Sequence, residues 1–226
     1  MDIRLNKYLA EKIGLSRREA DNFIASGKVL VNEKPAVLGA RINDGDEIIV
    51  DGKKIDNSPS EYTYIMFNKP VGYVSSRKAQ GNVPTLYALL PEKYKSLKTV
   101  GRLDKNSSGL ILLTNDGDFA FSHTHPKFYK LKTYVVTLDH ALEPLHQQEI
   151  SDFGIQLEDG PSKLFLSKLN DERTEWQVEM SEGRNRQIRR TFAALGYEVI
   201  KLHRTEFGAY QLGDLKPGKF IEVDKK

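Results

Sequence analysis

A chain of 226 residues with 39% hydrophobic and 29% charged residues has room for one large domain or for a small and a medium one, and it lies outside the composition of disordered chains. Its 34 Lys and Arg exceed its 31 Asp and Glu by three charges, a mildly basic balance that permits a nucleic-acid partner without demanding one. The absence of cysteine excludes disulfides, zinc ribbons and thiol catalysis, no apolar run reaches the roughly 18 residues of a membrane helix, and the charged opening MDIRLNKYLAEK carries no secretory core, so a cytoplasmic protein is expected.

Residues 3–13 set Leu5, Tyr8 and Leu9 at helical spacing. A second helix is marked by Ser16 and Glu19 as a capping box, by Ala20, Phe23 and Ile24 as an apolar stripe, and by Gly27 as its stop. VLVN (29–32) and EIIV (47–50) read as strands, each followed by turn residues. Arg4, Lys7, Arg17, Arg18 and Lys28 fall at outward positions of this small helix-and-sheet segment. DNSPSE (56–61) has linker character, so a first domain over 1–57, a linker over 58–61 and a second domain over 62–226 are expected.

Beyond the linker, YTYIMF (62–67) predicts a strand, then the NKPVG turn and YVSS. Leu110 to Leu113 form a continuous apolar run between Gly109 and Asn115-Asp116-Gly117, the pattern of a fully buried strand, with a short helix around 119–122 after it. KTYVVTL (132–138), WQVEM (176–180) and EVIKLHR (198–204) predict strands; EPLHQQEISDF stopped by Gly154, and 185–195 stopped by Gly196, predict helices. Strands outnumber helices without regular alternation, so the expected class is α+β with a mixed, largely antiparallel sheet.

Familiar chemical motifs are missing: there is no Gly-rich dinucleotide or phosphate loop and no G-x-S-x-G elbow. His123-Thr124-His125 lacks a third ligand nearby and reads as surface histidines. Asp104, two residues after Arg102 and just ahead of the buried run, invites a turn-capping reading. Against that stands a basic segment between Glu182 and Arg204, with Arg184, Arg186, Arg189, Arg190, Lys201 and Arg204 against Glu182 and Glu198. Guanidinium groups recognise phosphate and carboxylate through a planar fork, and one of them directed into a cleft would hold Asp104 ionised. A carboxylate, an arginine and Tyr134 in one cleft suit a flat, polar, sugar-bearing substrate.

GRLDKNSSGLILLTNDG (101–117) closely resembles the signature of the small bacterial pseudouridine synthases that act on ribosomal RNA. The resemblance extends to NKPVGYVSS (68–76), HPKFYKLKTYVV (125–136), EGRNRQIRRTFAALGYEVIKLHR (182–204) and the closing Leu215–Gly218, and so spans Tyr64 to Val223. RLNKYLAEKIGLSRREADNFIASGKVLVN (4–32) resembles the S4 RNA-binding module that the family carries at its N-terminus, with Arg4, Lys7, Arg17 and Arg18 as its expected RNA contacts. The resemblance implies that Asp104 is the nucleophile at the ribose C1′ of a flipped uridine. It implies that Tyr134 stacks on the base and helps the C5 proton leave, that Arg189 pairs with Asp104, that Arg102 fills the space the uridine vacates, and that Leu202 packs under the base. No cofactor or metal is expected, and ribosomal RNA or a subunit precursor is the expected partner of a monomer with no membrane contact. GIQLEDGPSK (154–163) resembles members acting on large-subunit RNA, while the short chain without a basic tail resembles the small-subunit enzyme; large-subunit RNA is preferred. The alternative is a non-catalytic, S4-type, ribosome-associated RNA-binding factor, which would have no need to keep Asp104, Tyr134 and Arg189.

Overall fold

The computed structural model describes residues 2–56, 58, 61–77 and 81–226. Two compact units are present, Met1–Thr63 with Asn115–Gly117, and Tyr64–Thr114 with Asp118–Lys226. Residues 59 and 60 of the linker read at 58–61 lie outside the described residues.

In the first unit, β1 (Ile3–Arg4) runs into α1 (Leu5–Lys12), followed by α2 (Arg17–Ala25). The helix expected over 3–13 is shorter because Ile3 and Arg4 pair with β4 (Arg41–Ile42). The capping box forms: Glu19 N–H donates to Ser16 Oγ at 3.1 Å and Ser16 N–H donates to Glu19 Oε2 at 2.6 Å. A cap of this kind is worth about 1 kcal/mol. Strands β2 (Val29–Val31), β3 (Lys34–Pro35), β5 (Ile48–Val50) and β6 (Lys53–Lys54) form a sheet of order β3-β2-β5-β6. Its two-residue turns place Asn32 and Glu33, then Asp51 and Gly52, at positive φ, the geometry that a right-twisted hairpin needs. Leu5, Leu9, Ala20 and Ile24 bury against Val29, Ile42, Ile48 and Val50, which leaves Arg4, Arg17 and Arg18 exposed and Lys7 half-buried.

The second unit is built on β7 (Tyr64–Lys69), β8 (Lys98–Val100), β9 (Ser108–Thr114), α3 (Gly117–Thr124), β10 (Lys132–Leu138), α4 (Pro144–Gln148), β11 (Ile155–Leu157), β12 (Gly160–Ser162), β13 (Phe165–Lys168), β14 (Glu175–Met180), α5 (Gln187–Ala193), β15 (Val199–Phe207), β16 (Tyr210–Gln211) and β17 (Phe220–Glu222). The central sheet has the order β13-β14-β10-β15-β9-β7-β17, with β9 and β15 parallel and the other pairs antiparallel. Both faces of β9 are covered. Ile111 and Leu113 join Phe67, Val136, Trp176, Val178, Ile188 and Phe192 on one side, while Leu110 and Leu112 join Met66, Phe119, Phe207 and Tyr210 on the other. That two-sided burial is why residues 110–113 are apolar without alternation.

Gly109 makes the parallel contact possible. Its φ is 106°, and a Cβ there would sit 2.2 Å from the Arg204 carbonyl oxygen. Some local expectations shift. YVSS contributes only the isolated bridge Val74–Thr85, and the 143–153 segment opens as α4 and then widens to a π turn over Glu149–Phe153 before Gly154. His123 is not a surface residue: it is 3% exposed at the end of α3, packed on Phe119 and Phe207, and the surface reading holds only for His125. Among the described residues no helix is long and apolar enough to cross a membrane.

Candidate active site

The loop before β9 carries Asp104 and is tied down from beneath by the NKPVGYVSS segment. Lys69, fully buried, donates from Nζ to the carbonyls of Asp104 (3.1 Å), Ser107 (2.7 Å) and Pro70 (3.0 Å). Gly72 N–H donates to Lys105 O at 2.8 Å. Ser75 Oγ donates to Leu103 O at 2.8 Å and accepts from Leu103 N–H at 3.1 Å. Burial pushes the Lys69 ammonium down to about 8, with the Asp104 charge opposing the shift. The lysine is therefore a brace that organises backbone carbonyls. Its side chain turns away from the role of an exposed phosphate contact.

Asp104 opens onto a cavity of about 380 Å³, within the size range of small-molecule sites. Arg102, Tyr134, Leu202, Lys132 and Arg204 also line it. The sheet register explains the meeting: Tyr134 on β10 stands opposite Arg204 of β15, and Val136 stands opposite Leu202, so the strand pair brings these side chains together. Tyr134 and Leu202 are 7% and 8% exposed, a ring and an apolar side chain set at the cavity wall. Arg102 is exposed at the rim.

The arginines divide differently from the expectation. The guanidinium within ion-pair reach of Asp104 is that of Arg186, at 3.7 Å, and not that of Arg189. Arg186 occupies the cap position before α5 in the left-handed region (φ 46°, ψ 31°), and its side chain makes no capping hydrogen bond to the helix. Arg189, inside the helix, donates to Asn106 O at 2.8 Å and to Val199 O, fastening the Asp104 loop to β15. Burial and the neighbouring Arg186 lower its pKa, while the Asp104 charge raises it, so Arg189 still feels the carboxylate. Arg184 and Arg190 are taken up internally. Arg190 holds Asp159 in a fork of 3.0 and 2.7 Å, and Arg184 holds Asp159 Oδ1 at 2.8 Å together with the carbonyls of Gly160 and Pro161. Four arginines in one short stretch therefore supply a clamp on the β11–β12 hairpin, a loop fastener and one partner for Asp104.

Sequence reasoning did not single out Lys69 or Lys132, and it counted Arg204 only as one cation of the basic segment. Lys132 donates to the carbonyls of Lys130, Ser181 and Glu182, and burial, then the Arg204 charge, bring its pKa down to about 8. Arg204 is 2% exposed, with Nε donating to Leu110 O at 2.7 Å and Cζ lying 6.0 Å from the Tyr134 ring centroid. The signal was present as cations inside otherwise apolar strand patterns, where an unpaired charge is too costly to be incidental.

The arrangement of a loop-borne carboxylate, a buried tyrosine and a basic helix entrance in one cavity can be set beside proteins of known family. The profile of the RNA pseudouridylate synthases matches residues 63–194, and that of the S4 domain matches residues 3–48. A ribosomal large subunit pseudouridine synthase B from Bacillus subtilis (strain 168) is 38% identical over 97% of this chain and 91% of its own length. A ribosomal small subunit pseudouridine synthase A from Pasteurella multocida (strain Pm70) is 37% identical over 94% of this chain and 91% of its own length. A crystal structure of a pseudouridylate synthase superposes with a TM-score of 0.70 at 32% identity, covering 98% of this chain and 96% of that one. The chain belongs to the RNA pseudouridine synthase family, with an S4 domain preceding the synthase fold.

Proposed function

We propose that the protein converts a uridine of large-subunit ribosomal RNA to pseudouridine, with Asp104 as the nucleophile. The observation that carries the reading is a carboxylate on a braced loop, short of hydrogen-bond partners, lining the same cavity as Tyr134 and Leu202. Attack at C1′ forms a C1′–O bond to Asp104 and breaks C1′–N1, and the electron pair leaves with the uracil. The detached ring turns, C5 attacks C1′ and displaces the carboxylate, the C5 proton departs and N1 takes one up. The atoms balance without any co-reactant.

In this scheme Tyr134 stacks on the base and assists loss of the C5 proton, and Leu202 supports its other side. Arg186 supplies the near charge to Asp104; Arg189 acts at longer range and through the loop. Arg102 enters the space left by the flipped uridine. The S4 domain, with Arg4, Lys7, Arg17 and Arg18, adds affinity for RNA phosphates, and the boundary between binding and chemistry falls at 58–61. The two ribosomal relatives are 38% and 37% identical, so identity does not choose between subunits. The 154–163 segment supports large-subunit RNA. A cytoplasmic monomer acting on free RNA or a subunit precursor is the setting that fits. Mapping pseudouridines in ribosomal RNA from cells with and without the gene tests the proposal: a single uridine of the large-subunit RNA is expected to lose its modification. Loss confined to the small-subunit RNA would overturn the choice of substrate.

A further inference from the structure

Beside the cavity, where Thr124 and Pro126 form part of its wall, the chain displays an unusual run of exposed side chains. Phe121, Phe128 and Tyr129 are 47%, 40% and 77% exposed. Phe121 packs edge-on against Phe128 with centroids 5.7 Å apart, and His125 lies 4.8 Å from Phe121. The Lys127 ammonium sits 4.7 Å above the Phe128 ring and 5.3 Å from that of Phe121. These contacts hold the rings in place while leaving much of their surface in water, at a cost that apolar packing alone would not sustain.

Tyr129 is the sharper signal. It ends the short turn Pro126–Phe128 in the left-handed region, with φ 47° and ψ 42°. A bulky residue is strained there and a glycine is not. The tyrosine is kept in a conformation that disfavours it, at a position where its ring is mostly solvated. Backbone strain of this kind persists where the side chain is needed for something other than folding.

Charge indicates the occupant. Between Asp118 and Asp139 the chain contains Lys127, Lys130 and Lys132 and no acidic residue. Another pair of exposed apolar side chains, Leu145 and Phe153, has Glu143, Glu149 and Asp152 as sequence neighbours and lacks this character. Aromatic faces interleaved with lysines are the composition that binds single-stranded nucleic acid, because every base offers a π-face and every nucleotide a phosphate. We infer that Phe121, His125, Phe128 and Tyr129, with Lys127 and Lys130, form a stacking surface for unpaired nucleotides of the RNA adjoining the uridine held in the cavity. The inference rests on the RNA-modifying reading above and adds a binding site to it.

The test uses the full chain and a short single-stranded oligouridine RNA carrying 2-aminopurine next to a uridine. Wild type quenches the 2-aminopurine on binding, and Tyr129→Phe does so equally. Tyr129→Gly and Phe128→Ala each lose the quench and bind roughly five- to a hundredfold more weakly. Tyr129→Gly, relieved of strain, melts no lower than wild type. Unchanged quench and affinity in both ring-deleted variants would overturn the inference, including in favour of a protein partner, and so would a lowered melting temperature for Tyr129→Gly. Tritium release from C5-labelled ribosomal RNA by wild type is measured alongside. Its absence would sink the proposed function whatever the oligonucleotide shows. Release together with ring-independent binding sinks only the stacking surface.

Discussion

Asp104 and Asp159 both face arginines of the 184–190 segment, and their carboxylates are similarly open, 37% and 41% exposed. Asp159 is saturated: three guanidinium nitrogens of Arg184 and Arg190 lie within 3.0 Å of it. Asp104 has one guanidinium at 3.7 Å, and its loop backbone, not its side chain, absorbs the strong bonds. The difference separates two uses of one ion-pair chemistry. A carboxylate whose acceptor sites are filled by fixed donors stiffens a hairpin, whereas one held in place by its backbone retains lone pairs for a substrate atom.

The largest expected effect comes from making the two aspartates equal. Asp104→Asn is expected to fold and bind RNA as wild type does and to lose on the order of 10⁴-fold or more in tritium release from C5-labelled uridine, the scale on which nucleophile removal acts. Asp159→Asn is expected to keep measurable chemistry and to melt at a lower temperature. Inversion of the two phenotypes would return Asp104 to turn capping. Next in size is Tyr134→Phe, which retains the stacking ring and loses the hydroxyl. Product formation should fall by roughly 10²- to 10⁴-fold, with RNA affinity unchanged in a filter-binding assay.

The arginines sharpen the contrast further. Arg189→Gln frees the Asn106 carbonyl and lets the Asp104 loop shift, which should lower kcat by about 10²-fold at unchanged KM. Arg186→Gln removes an exposed pair at 3.7 Å, worth at most about 1 kcal/mol, and should cost about fivefold. A larger loss in the Arg186 variant would make that residue the principal partner. The pH dependence of stability separates the aspartates in another way. Hydrogen bonds from Arg190, then the Arg184 and Arg190 charges, hold the Asp159 carboxyl below its ordinary 3.8. Its contribution is therefore complete above 3.8 and disappears as pH falls through the lower folded-state value. Melting curves of Asp159→Asn should accordingly lack part of the acid-side loss seen in wild type. Smallest of all, Arg17→Gln and Arg18→Gln, far from either carboxylate along the chain, should leave kcat untouched. Each should reduce the salt slope of RNA binding by about one if its guanidinium neutralises a phosphate.

Much of the architecture was readable from local pattern. The Ser16–Glu19 box, the buried run at 110–113, the alternation of Trp176, Val178 and Met180, and the stops at Gly27, Gly154 and Gly196 each depend on neighbours within a turn or a strand. Side-chain periodicity reports such features directly. The identity of Asp104, Tyr134 and Leu202 as candidates came from the motifs around them; strand register then set Tyr134 and Leu202 on the cavity that the braced Asp104 loop also lines.

What the tertiary structure alone decided was the division of labour among like residues. Four arginines between 184 and 190 are equivalent as letters, and the left-handed backbone at Arg186 with the docking of the β11–β12 hairpin determines which one reaches Asp104. The same holds for Lys69, whose place in strand β7 gives no hint that three carbonyls of the 70–107 region close around its ammonium. His123 likewise reads as polar beside a proline yet lies under Phe207 of a strand more than 80 residues away in sequence. Periodicity specifies which face of an element is apolar; it carries no information on which distant donor meets which acceptor. Those pairings arise only when β9 and β15 come into contact, through the gap that Gly109 leaves for the Arg204 backbone.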